Sequence, residues 1–435
     1  MNKIYINELE KYIDSEITIQ GFIDNIRNLQ YVIFIILKDS TGKVQITIEK
    51  ENNDELVKSI ESLTLESTVK ITGKLEKNEK VKLNGMEIIP NKIEITSLSL
   101  PELPISIKDK EASEIDTRLD YRYLDLRNEY NSNIFRIQSE MVRLMREFLY
   151  SKNFIEIHTP KLISTASETG SEVFEVKYFD RKAYLAQSPQ FYKQMAMSSG
   201  FEKIFEVGPV FRAENSNTNR HTTEFTGFDL EFSYINSVND VMDMEEELLT
   251  YVLKHLSEKY GNLIKEMYGK EIIVPNKMPR IKLLDLYEEL EKRYDYKIDD
   301  AAKLDLTTEA EKLAYKYAME EYNSEFIFVT DFPKDKRAFY HLRENDIPQG
   351  YDLIWRGVEI TTGAQREHRY EILKAQAEEK GLKKDVEFYL EFFKYGCPPH
   401  GGFGLGVDRL TMLLLGLPSL KESMFLFRGP NRLDP

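Results

Sequence analysis

Three separated segments carry residues whose types and spacing suit chemistry on a charged ligand. The most informative begins at Phe211-Arg212-Ala213-Glu214 and returns, after a polar loop, through residues 224–231. Two strand-like arms around such a loop predict a β-hairpin, and alternation gives each arm a polar face. These faces carry Arg212 and Glu214 in the first arm, and Phe225, Asp229 and Glu231 in the second. A cation, a carboxylate and an aromatic ring suit a nucleoside triphosphate, whereas an exposed hairpin with solvated charges is the alternative.

The other two segments are weaker when taken singly. Residues 154–160 alternate apolar and polar side chains and predict a half-buried strand that ends at Pro160. The segment Pro398–Leu410 predicts a glycine-rich turn that leads into an apolar helix, Leu410–Leu415. Arg409 is expected near the start of that helix, where the positive dipole end attracts anions. The turn lacks the GxxxxGK[ST] pattern of a phosphate loop.

The elements that must position these residues fall into two parts of the chain. Five strand-like runs, separated by turn-forming residues, occupy the first part. They are Ile17–Ile23, Tyr31–Lys38, Lys43–Glu49, Ser67–Gly73 and Met86–Thr96, the last of which contains Pro90. A helical segment, Asp54–Ser62, falls between the third run and the fourth. This is the order of an OB-fold barrel, a common oligonucleotide binder, although another small β-barrel also fits.

Beyond Pro101 and Pro104, helices and strands mix without strict alternation, which favours an α+β fold. Apolar residues at helical spacing predict a long amphipathic helix over Asn133–Lys152. Further helices are expected over Val238–Tyr260, Leu283–Tyr294, Thr307–Tyr322, Glu367–Glu379 and Lys384–Phe393. Further strands are expected over Lys203–Val207, Glu224–Tyr234, Glu325–Thr330 and Tyr351–Thr361.

Charge and cysteine content limit the classes of partner. The 59 Lys and Arg against 74 Asp and Glu residues give a net charge of −15, which opposes indiscriminate binding of nucleic acid, DNA included. A specific RNA could still be held by a local patch. The apolar run Tyr31–Leu37 is too short to cross a bilayer as a helix. Because Cys397 is the only cysteine, no intrachain disulfide can form, and we expect a cytoplasmic protein without a membrane segment.

In their order, the three segments resemble the signature motifs of class II aminoacyl-tRNA synthetases: a proline-terminated first motif, an FRAE second and a GxGxxR third. Other segments look like those of aspartyl-tRNA synthetases of the archaeal and eukaryotic type. They are Thr117-Arg118-Leu119-Asp120, Tyr123–Arg127, Ala186–Gln190, Tyr192-Lys193-Gln194 and Gly363-Ala364-Gln365-Arg366. The resemblance implies an OB-fold anticodon-binding domain over residues 1–103, a hinge or linker over 104–132 and an antiparallel-sheet catalytic domain over 133–435. The chain leaves no room for the large inserted domain of the bacterial type.

The resemblance implies that ATP is a substrate and Mg²⁺ a cofactor. The α-carboxylate of aspartate would attack the α-phosphate, which requires positioning and charge neutralisation but no general base. The catalytic residues implied are Arg212, Glu214 and Arg409. The wider ATP site adds Arg220, His221, Phe225, Glu359 and Gly406, and the Mg²⁺ ligands implied are Asp352, Glu359 and Thr362.

The aspartate site implied by the resemblance comprises Ser167, Glu168, Gln190, Lys193, Asp229, Thr362 and Arg366. Lys193 and Arg366 are two cations that fit the β-carboxylate, and the related asparaginyl enzymes lack a lysine at the first of these positions. A site built for polar pairing can reject the wrong analogue by about 10⁴–10⁵-fold. Ser167 and Glu168 resemble a mobile loop in which Thr169 stands where the family more often has glycine.

The resemblance also names partners. The tRNA substrate would be tRNA(Asp), with tRNA(Asn) left open as a second acceptor. Phe34, Gln45 and Glu87 match residues that stack on and hydrogen-bond the anticodon, although Phe34 also fits a core position. A homodimer is implied, with Pro160 and the preceding helix at its interface. Near the end, Phe427-Arg428-Gly429-Pro430 departs from the family's usual Phe-Pro-Arg-Asp.

Three other functions compete with the aspartyl enzyme. An asparaginyl enzyme would share most of the catalytic scaffold. An RNA-free paralogue would make asparagine from adenylated aspartate, but such paralogues lack the N-terminal barrel. A pure RNA-binding module would leave Arg212, Glu359 and Arg409 without a role.

Overall fold

The first unit of this computed structural model is a closed five-stranded barrel that ends at Pro104. The structure describes residues 3–164, 173–215, 218, 221–382 and 386–435. The elements of the barrel are β1 Glu16–Asn28, β2 Val32–Lys38, β3 Lys43–Glu49, α1 Asp54–Ser59, β4 Thr68–Lys77 and β5 Met86–Ser97. The strands close in the order β1-β2-β3-β5-β4, with α1 between β3 and β4 in the chain. This is the arrangement of an OB-fold, so that prediction is confirmed.

Alternation of apolar residues builds the interior of the barrel. Every second residue of β2 and β3 is buried, which places Ile33, Ile35 and Ile46 in the core. Pro90 does not interrupt β5, because it lies opposite Gly73 at a bulge, where a missing N–H is tolerated. A Cβ at Gly73 would lie 2.3 Å from the carbonyl oxygen of Ile89, so this crossing requires glycine.

The second unit begins at Ile105 and joins helices to a mainly antiparallel sheet. Its helices are α2 Ile115–Asp120, α3 Arg122–Asp125, α4 Glu129–Ser151, α5 Gln190–Ser198, α6 Val238–Tyr268, α7 Leu283–Tyr294, α8 Thr308–Tyr322, α9 Tyr370–Glu379, α10 Glu387–Glu391, α11 Val407–Leu415 and α12 Leu420–Ser423. Its strands are β6 Ile155–Glu156, β7 Leu162–Ile163, β8 Glu175–Tyr178, β9 Arg181–Leu185, β10 Lys203–Phe211, β11 Glu224–Ser233, β12 Arg280–Lys282, β13 Phe326–Thr330, β14 Arg343–Glu344, β15 Ile347–Pro348, β16 Gly350–Trp355, β17 Val358–Gln365 and β18 His400–Gly406.

The main sheet of this unit has eight strands in the order β12-β13-β16-β17-β18-β11-β10-β6. Pairing is parallel at the two edges, β12 with β13 and β10 with β6, and antiparallel between them. The predicted α+β class is therefore confirmed. Helices α4 and α6 pack on the sheet, burying Ile134, Ile137 and Leu248 with Phe205 and Phe228. Among the described residues, no helix is both long and apolar enough to cross a bilayer.

Residues 105–132, which fall in the segment predicted as a hinge or linker over 104–132, group with the second unit. Helices α2 and α3 lie within it, and their Arg118 and Arg122 side chains are buried. Arg118 Nη2 donates to Glu422 Oε1 at 3.0 Å, and Arg122 Nη2 donates to the carbonyl of Met424 at 2.9 Å. These ion pairs and hydrogen bonds tie the segment to α12 and its C-terminal end, so Arg118 and Arg122 have a structural role.

Two predicted elements end or begin elsewhere because of local backbone chemistry. Helix α4 starts at Glu129 rather than Asn133, since the Asn128 side chain accepts a hydrogen bond from the Tyr130 N–H at 2.8 Å and caps the helix. Helix α6 continues past the predicted Tyr260 to Tyr268.

Two other predictions about the sheet are wrong. The single strand expected over Tyr351–Thr361 is a hairpin of β16 and β17, which turns at Arg356 and Gly357, both with positive φ. The glycine-rich turn expected before Arg409 is a central strand, β18, and the helix begins directly after it. Glycines therefore run through the middle of the sheet rather than around a turn.

A buried carboxyl group links α6 to the sheet. Glu245 Oε2 accepts a hydrogen bond from the Tyr351 hydroxyl at 2.6 Å, and both side chains are fully buried. Burial raises the pKa of Glu245 to about 7. A Cβ at Gly363 would lie 2.4 Å from the Tyr351 hydroxyl, so glycine in β17 makes room for this contact. The protonated acid is the form that the fold prefers.

This pKa predicts how stability depends on pH. The folded chain keeps the Glu245 proton up to about pH 7, whereas the unfolded chain loses it near 4.5. Stability should therefore fall as pH rises between these values, by at most about 3 kcal/mol. Glu245→Gln mimics the protonated acid, so its free energy of unfolding in urea should lack this decline and exceed that of wild type at pH 8. Glu247→Gln, an exposed change on the same helix, is the control and should follow wild type.

Candidate active site

A cavity of about 240 Å³ opens on the face of the sheet built by β10, β11, β17 and β18. Predicted site residues from separate parts of the sequence line it together. They are Gln190, Arg212, Glu214, His221, Phe225, Asp229, Glu359, Thr362, Arg366, Gly406 and Arg409. Lys193 and Asp352 lie behind this lining. The predictions for Ser167, Glu168 and Arg220 concern residues outside the part of the chain that the structure describes.

One end of the cavity is cationic and aromatic. The predicted hairpin forms, but β10 ends at Phe211, so Arg212 and Glu214 follow the strand rather than alternate within it. The Arg212 guanidinium lies 5.2 Å from the centre of the Phe225 ring, and Glu214 lies 4.0 Å from His221 Nε2. The guanidinium of Arg212 close to the Phe225 ring suits a nucleotide, whose base can stack on the ring and whose phosphates can pair with the cation.

Arg409 reaches the same cavity from the first turn of α11. Its Nη1 donates to the carbonyl oxygen of Glu359 at 2.8 Å. The helix is fixed by Asp408, whose carboxylate accepts from the Thr226 N–H at 3.0 Å and from Gln138 Nε2 at 3.2 Å. This places a guanidinium and a helix N-terminus at one point, both favourable to anions.

Two carboxylates from adjacent strands meet at the cavity, where Glu359 lines it and Asp352 lies behind it. Asp352 of β16 lies directly opposite Thr362 of β17, whose hydroxyl oxygen lies 3.0 Å from Asp352 Oδ1 and 3.2 Å from Glu359 Oε1. The hairpin turn between the two strands is what brings the acids together. Burial and the negative charge of Asp352 raise the pKa of Glu359 to about 7.

Arg337 holds Asp352 in place, and no sequence motif marks this arginine. Its Nη1 and Nη2 donate to the two carboxylate oxygens at 2.9 and 2.7 Å, and its guanidinium lies 3.6 Å from the centre of the Phe332 ring. Within the described residues, no cluster of three His, Cys, Asp or Glu side chains is placed to bind a metal ion. The predicted metal position thus offers two carboxylates and a hydroxyl, with one carboxylate already paired.

The other end of the cavity is organised around Glu231, a fully buried carboxylate. Arg366 Nε donates to Glu231 Oε1 at 2.9 Å, and Lys193 Nζ lies 3.6 Å from Oε2. Gln190 Nε2 donates to Oε2 at 3.4 Å. Burial opposes ionisation, but the charges of Arg366 and Lys193 outweigh it and keep the pKa of Glu231 below its usual value. The two predicted cations are therefore neighbours, joined by this acid.

Lys193 does not reach the cavity itself. Its ammonium group donates to Asp229 Oδ1 at 2.9 Å and to the Phe403 carbonyl at 3.3 Å, and the side chain is 1% exposed. Asp229 lines the cavity in front of it. The sequence predicted two cations facing a ligand, and the structure instead has each cation paired with a carboxylate.

The glycines of β18 allow these carboxylates to lie against the sheet. A Cβ at Gly404 would lie 2.5 Å from Asp229 Oδ1, and one at Gly402 would lie 2.5 Å from Glu231 Oε2. Both acids are on β11, directly paired with this strand. Any larger residue at either position would displace the ion pairs.

Some residues of this site were not assigned a role from the sequence. Alternation placed Glu231 on the sheet face of Asp229, but the resemblance gave it no part in the aspartate site. Arg337 and His341 come from irregular segments between β13 and β14, where no periodicity marks a functional side chain. His400, at the start of β18, is fully buried, and burial lowers its pKa to about 4.

The three residues predicted for RNA lie on one outer face of the barrel. Phe34 of β2 is half-buried and alternates with the core residues Ile33 and Ile35, so it is not part of the interior. Gln45 of β3 pairs with Glu87 of β5, and Gln45 Nε2 donates to Glu87 Oε2 at 3.2 Å. An aromatic ring beside polar groups suits a splayed base.

Comparison with known families divides the chain as the structure does. Residues 114–428 match the family model for tRNA synthetases class II (D, K and N). Residues 17–96 match the model for the OB-fold nucleic acid binding domain.

Relatives and solved structures match over almost the whole chain. An aspartate–tRNA(Asp/Asn) ligase of Aeropyrum pernix is 39% identical, over 98% of this chain and 97% of that protein. An aspartate–tRNA(Asp) ligase of Pyrococcus abyssi is 41% identical, over 99% of each. The structure of asparaginyl-tRNA synthetase from Pyrococcus horikoshii, complexed with asparaginyl-adenylate, superposes with a TM-score of 0.92 at 31% identity, over 100% of both chains. Aspartyl-tRNA synthetase of Entamoeba histolytica gives 0.87 at 34% identity, over 100% of this chain and 93% of that one.

The central position of Glu231 predicts a large effect of its removal on stability. Glu231→Gln would leave Arg366 buried without its partner, and breaking such a pair costs about 3–5 kcal/mol of unfolding free energy. Urea unfolding at pH 7 measures this loss. Glu224→Gln, an exposed change on the same strand, is the matched control and should unfold like wild type. A Glu231→Gln protein as stable as this control would contradict the prediction.

Proposed function

Because the chain belongs to the class II tRNA synthetases of the D, K and N group, we propose that it is an aspartate–tRNA ligase. It activates L-aspartate with ATP to aspartyl-adenylate and transfers the aspartyl group to the 3′ end of a tRNA. The observation that carries the amino acid assignment is Lys193 beside Arg366, with Asp229 and Glu231 as their counterions. Near 40% identity to aspartate–tRNA ligases over the whole chain supports it.

In the first step, an oxygen of the aspartate α-carboxylate forms a bond to the α-phosphorus of ATP. The bond from that phosphorus to the bridging oxygen breaks, and pyrophosphate leaves. The nucleophile is already an anion, so the protein has to position it and neutralise charge. Arg212 holds the α-phosphate and Arg409 the γ-phosphate, with His221 and Arg220 assisting. Arg409 suits this role because it extends from the N-terminus of α11 into the cavity.

The base of ATP stacks against Phe225, beside Gly406, and Glu214 accepts a hydrogen bond from its exocyclic amine. The Arg212 guanidinium lies 5.2 Å from the centre of the Phe225 ring, which supports this arrangement because it puts a cation close to a base stacked there.

The acids Asp352 and Glu359, with Thr362, form the Mg²⁺ site of this proposal. Their donor atoms are oxygens, which Mg²⁺ prefers, and it is commonly held by one or two carboxylates together with substrate phosphates. The raised pKa of Glu359 reflects burial and repulsion from Asp352, which a divalent cation would relieve. Bound there, Mg²⁺ would supply charge neutralisation for the phosphates. Arg337 keeps Asp352 oriented toward this position.

Recognition of aspartate proceeds by exchange of ion pairs. Asp229 faces the cavity and is bound to Lys193. The substrate's α-ammonium group pairs with Asp229 and replaces Lys193 there. Lys193 then pairs with the substrate's β-carboxylate, while Arg366 stays paired with Glu231. On this route Asp229 and Lys193 each exchange one partner of opposite charge for another, so neither is left buried and unpaired. Asparagine offers no anion to Lys193 and would leave that ammonium buried without a partner. Gln190 and Thr362 complete this site, with Ser167 and Glu168 closing over it.

The tRNA partner is tRNA(Asp), with tRNA(Asn) as a further acceptor to be tested. The barrel face of Phe34, Gln45 and Glu87 stacks on and hydrogen-bonds the anticodon. The cytoplasmic location and the homodimer remain predictions from the sequence.

Aspartate-dependent exchange of labelled pyrophosphate into ATP tests the assignment. We expect aspartate to support exchange far better than asparagine. Lys193→Met should lower kcat/KM for aspartate by about 10²–10³-fold, since it removes one partner of a buried pair, while binding of ATP is retained. Met keeps most of the side-chain volume, and urea unfolding checks that the variant folds. Better exchange with asparagine would favour the asparaginyl enzyme, which the 0.92 TM-score to such a protein makes the second candidate.

Aminoacylation of two purified tRNAs with labelled aspartate determines the acceptor. Charging of tRNA(Asp) is expected in either case, and charging of tRNA(Asn) would identify an enzyme that also serves that tRNA. Phe34→Ala should raise the KM for tRNA(Asp), because a stacked base is worth about 1–3 kcal/mol, and should leave pyrophosphate exchange unchanged. Exchange without charging of either tRNA would contradict the tRNA ligase assignment.

A further inference from the structure

His341 lies beside Arg366 at the amino acid end of the cavity. The residue is 3% exposed, and it lines the cavity together with Arg366 and Gln190. Its backbone forms an isolated antiparallel bridge with Arg366, and its ring Nε2 lies 3.4 Å from Arg366 Nη1. A neutral polar ring in contact with a buried cation needs an explanation, because burial of polar groups is costly.

The contacts of Arg366 show which of its nitrogens this ring affects. Nε is held by Glu231 at 2.9 Å, and Nη2 by the Gly402 carbonyl at 2.9 Å and by Gln190 Oε1 at 3.2 Å. In the described part of the chain, the hydrogen-bond contact of Nη1 is His341 Nε2. Nη1 thus has the longest of these contacts, and His341 completes the set of acceptors that fixes the plane of the guanidinium.

The chemistry of the pair fixes the tautomer of His341. An arginine guanidinium only donates hydrogen bonds, so Nε2 must offer its lone pair and the proton resides on Nδ1. Burial, with the charges of Arg366, Arg337 and Arg343, lowers the pKa of His341 well below its usual value and keeps the ring neutral. A charged ring would repel the arginine that it contacts.

Gly350 of β16 keeps the His341 ring in this orientation. A Cβ at Gly350 would lie 2.8 Å from His341 Nδ1 and 3.0 Å from Cε1. The ring is therefore enclosed between Gly350 on one side and Arg366 on the other. Among the described residues, Nδ1 has no hydrogen-bond partner, so steric fit rather than a second hydrogen bond sets its position.

We propose that His341 is a positioning residue for amino acid specificity, which accepts a hydrogen bond from Arg366 Nη1 and directs that nitrogen toward the carboxylate of the bound amino acid. This inference rests on the proposed function. Glu231 holds Nε of the guanidinium, and His341 takes one N–H of Nη1, which leaves the other N–H of that nitrogen for the carboxylate. Misalignment of the remaining Nη1 N–H weakens its hydrogen bond to the carboxylate without removing the charge of Arg366.

Pyrophosphate exchange by the full-length enzyme tests this role with two substitutions at one site. His341→Leu removes the acceptor, and its KM for aspartate should rise about tenfold, the low end of the value of a hydrogen bond to a charged group. Its kcat and its KM for ATP should stay close to wild type. His341→Gln places an amide oxygen near the position of Nε2 and should restore most of the affinity for aspartate. Equal aspartate KM values for the two variants would overturn the inference, as would parallel changes in kcat and in the KM for ATP.

A substitution at Gly350 tests the same role by displacing the His341 ring without removing it. Gly350→Ala should raise the KM for aspartate, because the new methyl group would displace the imidazole. The same change in a His341→Ala background should have no further effect, since no ring remains to be displaced. Additive effects of the two changes would overturn the inference. If wild type lacks aspartate-dependent exchange, the proposed function fails and this inference with it; an active wild type whose variants all keep its aspartate KM refutes the inference alone.

Discussion

The buried carboxylate of Glu231 is the interaction on which the amino acid end of the site depends. It lies between Arg366 and Lys193, and it lets two like charges remain close together in a water-poor interior. An isolated ion in such a place would cost several kcal/mol. The glycines of β18 are part of the same solution, because side chains there would occupy the space of the acids. The strands of the sheet therefore fix the positions of the charged groups at this end of the pocket.

The end of the cavity proposed to bind ATP follows the same rule with different partners. Asp352 is paired with Arg337, Arg409 is held by the backbone of Glu359, and Arg212 lies over Phe225. Each charged group has a fixed neighbour before any ligand arrives. Such preorganisation means that little reorientation of dipoles is needed when charge develops during reaction.

Much of this could be predicted from the sequence, and the failures have physical causes. Alternation predicted the barrel and the shared face of Phe225, Asp229 and Glu231, because strand periodicity is local. The Lys193–Asp229 pair joins a helix to a strand 36 residues away, so it could not be inferred from local patterns. The turn of the β16–β17 hairpin was missed because Arg356 adopts a positive φ that its residue type does not favour. Phe34 shows where prediction from the sequence ends. Its apolar neighbours also fitted a core position, and only the burial pattern of β2 shows that it faces outward.

The contacts of Arg118 and Arg122 with residues 422–425 have a consequence for synthesis of the chain. These partners are separated by about 300 positions along the sequence. A nascent polypeptide can close its early β-barrel long before the ribosome delivers α12, but the two buried arginines must wait. Until then only their pairs with the nearby Asp125 can form, and α2 and α3 lack their contacts with α12. The second unit is therefore completed late, by contacts between residues far apart in the sequence, and such contacts form slowly during folding.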